Sequence, residues 1–165
     1  MTLAILFWVP SLAFTQSVPQ FKGSTTFENY MQSLLKNDCR ITSARCAEFF
    51  LAVKFIINED GFADSITVLP DVNYTIRTRV IHAIRTTDGT WANITTNDRL
   101  PLVLPIYFRL ESGCLQGQKM EKRLTDPEKF NLKNFNLSNE TDEVFLFEPI
   151  YVTSERGFED IGDDQ

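Results

Sequence analysis

The chain has 165 residues, 43% of them apolar and 12% aromatic, with only 7 glycines and 7 prolines, which is the composition of one globular domain with some terminal extension and excludes a disordered or fibrous protein. Its net charge of −6 offers no clustered excess of Lys and Arg with which to displace the counterions of a nucleic acid, so that class of partner is set aside.

The opening stretch, MTLAILFWVPSLAFTQ, joins an apolar run from Leu3 to Val9 to Pro10 and then to small residues. That is the layout of a secretory signal peptide over residues 1–15, cut after Ala13 or Thr15, and its apolar run is too short to cross a bilayer. No Lys or Arg stands near Met1, so the α-amino group supplies the leading charge or translation starts elsewhere; the competing reading is a buried N-terminal strand. Export places the protein in the periplasm or outside the cell.

Cys39, Cys46 and Cys114 include no C-x-x-C pair and the chain has a single histidine, which argues against zinc. Cys39 and Cys46, in CRITSARC, are close enough in sequence to close a small disulfide loop and leave Cys114 free; three reduced, partly buried thiols is the equal alternative.

FENYMQSLLK, residues 27–36, sets Phe27, Tyr30, Met31, Leu34 and Leu35 at helical spacing behind Thr25 or Thr26 as a cap. LAVKFII is rich in β-branched and aromatic residues, NEDG is a turn in which Gly61 tolerates positive φ, and SITVLP returns as the partner strand of a hairpin. A second amphipathic helix follows in DVNYTIRTRVIHAIRTTDG, with Asp71 as N-cap, an apolar stripe at Ile76, Val80, Ile81 and Ile84, and a stop at Gly89.

In LPLVLPIYFRL, residues 100–110, Leu102, Leu104, Ile106, Phe108 and Leu110 alternate with Val103, Pro105, Tyr107 and Arg109, so the even-numbered residues face the core. Pro105 has no N–H to give an inner ladder and predicts an edge strand or a bulge, with the backbone of Val103, Tyr107 and Arg109 turned outward beside it. From Gln116 to Asp142 the chain is a polar connector with a short helix in KMEKRLTDPEK; EVFLFEPIYV, residues 143–152, reads as one more strand and FEDIGDDQ as an acidic tail.

Catalysis needs a nucleophile, acid or base held beside a group that tunes it. His82 is the lone imidazole, beside the apolar stripe of the second helix, and reads as structural or surface. Glu59, Asp60 and Asp71 read as a turn and a helix cap, since no D-x-D-x-D-G calcium loop occurs. Trp91 reads as a core plug and not as a ligand-stacking platform. No catalytic, metal or cofactor site is expected. Asn73, Asn93, Asn136 and Asn139 lie in N-x-S/T triplets, relevant only where the source glycosylates.

The order VKFIINEDGFADSITVL, helix, TTDGTW, NDRLPLVLPIYFRL resembles the C-terminal domain of the TonB energy transducers over roughly residues 24–110. The resemblance implies an α+β fold of two helices on one side of a three-stranded antiparallel sheet, with 16–114 as the domain; 115–165 then reads as an extension in which 143–152 is a candidate further strand. It implies a periplasmic, non-enzymatic module that grips an extended segment of an outer-membrane transporter by strand addition to the last strand. Carried over, Leu102, Val103, Leu104, Tyr107 and Arg109 bind the partner, and Gly61, Trp91 and Pro105 are structural.

Four departures accompany the resemblance. The chain shows a leader in place of an inner-membrane helix and Pro-rich span, Asp38-Cys39 replaces the Tyr-Pro pair after the first helix, and Phe49 or Phe50 stands where a glycine precedes the first strand. The chain also continues for some fifty residues after Leu110, and pairing of EVFLFEPIYV with the last strand would cover the partner edge. The alternative function is an envelope or secreted structural protein of the same fold that self-pairs or homodimerises through its last strand.

Overall fold

A computed structural model describes residues 18–38, 46–94, 100–111, 114, 121–123 and 144–154. The elements run β1 (Gln20–Phe21), α1 (Phe27–Asn37), β2 (Ala47–Ile57), β3 (Ala63–Leu69), α2 (Tyr74–Arg85), β4 (Trp91–Ala92), β5 (Leu102–Leu110), β6 (Glu121–Arg123), β7 (Phe145–Leu146) and β8 (Ile150–Ser154). The expected leader, Cys39 and the acidic tail lie outside the described residues, and of the helix expected in KMEKRLTDPEK only Glu121–Arg123 is described, as a strand held by pairing with β2 and not as a helix.

Thr26 caps α1 by accepting the N–H of Asn29 at 3.3 Å, and Glu28 and Lys36 sit at the helix ends that suit their charges. The helix buries Phe27, Met31 and Leu35, with Tyr30 and Leu34 half-buried beside them. At α2 the cap differs from expectation. Asn73, not Asp71, accepts the N–H of Thr75 at 2.9 Å, because the helix begins at Tyr74 and Asp71 is too far upstream; Asp71 instead faces Arg77 at 3.7 Å. Gly89 ends the following turn at φ +75°.

The hairpin turns at Asn58, whose Oδ1 accepts the N–H groups of Asp60 at 3.1 Å and Phe62 at 2.9 Å, while Gly61 takes φ +80°. β2 starts earlier than expected, at Ala47, because residues 47–51 find partners in the far half of β5. Phe49 and Phe50, the two candidates for the position where the resemblance places a glycine, are therefore both inside a strand, and Phe49 stacks on Phe108 at 4.9 Å.

The antiparallel core of the sheet is β3-β2-β5, but among the described residues the sheet has six strands, not three, and it is mixed: β6 pairs parallel with β2, and β7 and β8 pair parallel with β5. One continuous cluster joins α1 and α2 to one face of this sheet and includes every even-numbered residue of β5, as the alternation predicts. On the other face Ala52 and Val103 are buried together, with Leu69 and Val144 against them. A two-stranded ribbon of β1 and β4 closes one end over Trp91.

The disulfide joins Cys46 to Cys114, which corrects both the expected Cys39–Cys46 loop and the all-reduced alternative. Sheet register explains the pairing: Ala47 lies opposite Leu110, and a turn in which the Cys114 N–H reaches the Glu111 carbonyl at 2.9 Å folds Cys114 back onto Cys46. Nearness in sequence predicted the wrong partner because the strand pairing brings together residues 68 apart.

Candidate functional site

The resemblance directs attention to the outer edge of β5. That edge is occupied by the chain's own C-terminal segment, so β5 is an inner strand over most of its length. Leu102 and Val103 pair with Phe145 and Leu146, and Ile106 to Leu110 pair with Ile150 to Ser154. The N–H groups of Phe145 and Phe147 reach the carbonyls of Pro101 and Val103, each at 2.9 Å. The backbone of the odd-numbered residues of β5 thus points to this edge, as Pro105 predicted.

Pro105 sits at the break between the two ladders. There Leu104 and Pro105 of β5 face Phe147, Glu148 and Pro149 of the partner strand, one residue more, which is a bulge. The cause is backbone chemistry. Pro105 offers no N–H toward the edge, Pro149 offers none back, and a regular ladder cannot run through two missing donors. The inserted residue has a second effect: it shifts the core-facing parity from Phe145 and Phe147 to Ile150 and Val152, keeping all four on the apolar side.

Phe147 is the anchor of the segment. Its ring lies 4.7 Å from Phe27, 5.0 Å from Phe145, 6.4 Å from Phe55 and 6.5 Å from Trp91, closing an aromatic cluster between α1, β2 and β4. Trp91 is buried there, its indole N–H donating to Thr87 Oγ1 at 3.0 Å, in keeping with its reading as a core plug. At the far side of β8, Gln32 of α1 donates from Nε2 to the Tyr151 carbonyl at 2.7 Å.

The expected partner-binding residues divide by environment. Leu102, Val103 and Leu104 are fully buried. Tyr107 is half-buried with its ring 5.7 Å from that of Tyr151, so its outward neighbour is the chain's own β8. Arg109 is exposed and holds Glu111 at 2.7 Å; that hydrogen bond, then the charge attraction, raises the guanidinium pKa above its ordinary value.

A concavity of about 430 Å³ opens between α1 and α2 and is lined by Leu34, Asp38, Arg79, His82 and Thr86 among others. Arg79 Nε faces Asp38 at 3.6 Å, and His82 lies exposed at the rim, its carbonyl accepting the Thr86 N–H at 3.0 Å while its imidazole meets no described hydrogen-bond or ion-pair partner. Among the described residues no group of three His, Cys, Asp or Glu could hold a metal ion, and no helix is long and apolar enough to cross a membrane. No family model, no curated protein and no solved structure matches this chain.

EVFLFEPIYV forms strand as its composition predicts, but as two pieces, β7 and β8, docked parallel to β5, which its composition does not foretell. The available signals were Pro149 inside the run and the change of apolar parity across it, from 145 and 147 to 150 and 152.

Proposed function

We propose that this chain is an exported, non-enzymatic protein-binding module of TonB C-terminal type, which takes up an extended segment of an outer-membrane transporter or other envelope protein by strand addition along β5. The observation that carries this reading is that the β5 edge holds an extended segment in parallel register, over Leu102–Val103 and again over Ile106–Leu110. A disulfide that locks the two central strands suits an oxidising compartment. Binding at this edge requires residues 145–154 to leave it, so the closed and partner-bound forms exclude each other.

A second reading keeps the fold and gives up the grip, making the chain an envelope or secreted structural protein that pairs its last strand with itself or with another copy. What favours it is that the edge is filled and fastened by Gln32. Amide chemical-shift mapping of the full chain with TonB-box peptides separates the two. Shifts at Val103 to Arg109 with loss of the β5–β8 contacts support strand addition. An unchanged β5–β8 ladder at saturating peptide refutes it, and a mass that then rises with concentration assigns the edge to pairing between copies.

A further inference from the structure

The resident segment specifies what the edge accepts. Four side chains of residues 145–152 face the core, and their spacing is not that of a regular strand: two positions separate Phe145 from Phe147, three separate Phe147 from Ile150, and two separate Ile150 from Val152. The long step falls where β5 and the segment each withhold an N–H, at Pro105 and Pro149, so the edge itself contributes a missing donor at the middle of the ladder. A regular strand laid along this edge would stay in phase with β5, whose even-numbered residues face the core on both sides of Pro105, but would run its ladder through the donor missing there.

The two halves of the edge also differ in what they bury. The first offers an aromatic slot between Phe27, Phe55 and Trp91, where Phe147 sits at 8% exposure. The second, between β5 and α1, takes the branched side chains Ile150 and Val152, at 2% and 0% exposure. The opposite row of the segment, Leu146 and Tyr151, is 44% and 47% exposed and imposes little selection.

We propose that the β5 edge is a sequence-selective receptor for an extended protein segment, entered parallel to β5, that carries an aromatic residue followed by branched aliphatic residues three and five positions later. This rests on the strand-addition reading and adds to it the chemistry of the partner. The partner protein binds by supplying this spacing in place of residues 145–152. A residue without a needed N–H, such as proline, is accepted just before the first branched position, where Pro149 stands in the resident segment.

The test uses the full chain carrying Val152→Asp, which places a charge in a fully buried site and so loosens the resident segment, with Phe147→Ala as the milder second variant. Two synthetic peptides serve as probes: a copy of residues 143–154, and the same peptide lacking Pro149, which shortens the long step by one position. Amide shifts of Leu102 to Leu110 and a titration give the affinity of each. The copy peptide is expected to bind to the edge about tenfold or more tightly than the shortened one. Equal affinities, with both peptides shifting β5, overturn the spacing rule and leave strand addition standing. A folded variant whose β5 amides respond to neither peptide overturns strand addition itself. Loss of the dispersed spectrum in both variants also overturns the proposal, since residues 145–152 are then an integral part of the core and not an exchangeable occupant.

Discussion

Replacing both Cys46 and Cys114 by serine tests the structural correction most directly. The bond closes a loop of 68 residues, and the loss of loop-closure entropy from the unfolded chain corresponds to about 4 kcal/mol at room temperature. That is a large share of the roughly 5–15 kcal/mol by which a domain is usually stable. Urea unfolding of the oxidised full chain and of the double variant, followed by circular dichroism, is expected to show a loss of about 2–5 kcal/mol, the range found when native bridges are removed. Mass mapping of the unreduced protein after proteolysis is expected to recover a cross-linked peptide containing Cys46 and Cys114, with Cys39 open to alkylation before reduction. A Cys39–Cys46 cross-link, or a double variant within about 0.5 kcal/mol of the parent, refutes the argument from strand register.

Gly61→Ala places its Cβ no nearer than 3.7 Å to any neighbour, so the cost is that of the left-handed backbone at φ +80°, about 1 kcal/mol in urea unfolding. Trp91→Phe keeps most of the ring packing and removes the indole N–H from Thr87, whose hydroxyl still donates to the Ile84 carbonyl at 2.6 Å; unfolding followed by circular dichroism is expected to show a loss of about 1–2 kcal/mol. Phe147→Ala empties the aromatic slot at about 3 kcal/mol, and hydrogen exchange is expected to speed up first in residues 145–154 while β2 amides stay protected. Tyr107→Pro removes a second edge-facing donor beside Pro105; it is expected to raise exchange in β8 and to weaken any peptide that binds β5, with unchanged affinity moving the binding site off this edge.

The parts of the fold set by local chemistry were legible. α1, the β2–β3 hairpin and α2 follow from periodicity, caps and one turn glycine, and the alternation in residues 102–110 assigned each side chain of β5 to its face. Proline logic also held in part: Pro105 was read as a residue that cannot serve an unbroken ladder, and it sits where the ladder breaks. What failed was whatever depended on distant pairing. The correct cysteine partner, the early start of β2 and the parallel docking of β7 and β8 are fixed by register across the sheet, which no local window contains. The covered edge was foreseen only as an alternative, because EVFLFEPIYV carries no local mark of the strand it will join.

The two sides of the sheet are not equivalent as places for an incoming chain. Among the described residues β3 has no strand beyond it, yet its edge is blunted: the Ser65 N–H is taken by Asp64 Oδ1 at 2.7 Å, the Ala63 N–H by Asp88 Oδ1 at 2.7 Å, and Ser65 at φ +50° bends the strand where its register with β2 slips. The β5 edge from Ile106 to Leu110 supports an unbroken parallel ladder, and the disulfide fastens β5 to the start of β2 without involving any residue of 144–154. The chain therefore protects its sheet in two different ways. At β3 the protection is built into the strand and cannot be removed. At β5 it is a separate segment held by noncovalent contacts, so if either edge exchanges its occupant for a partner, the structure favours β5.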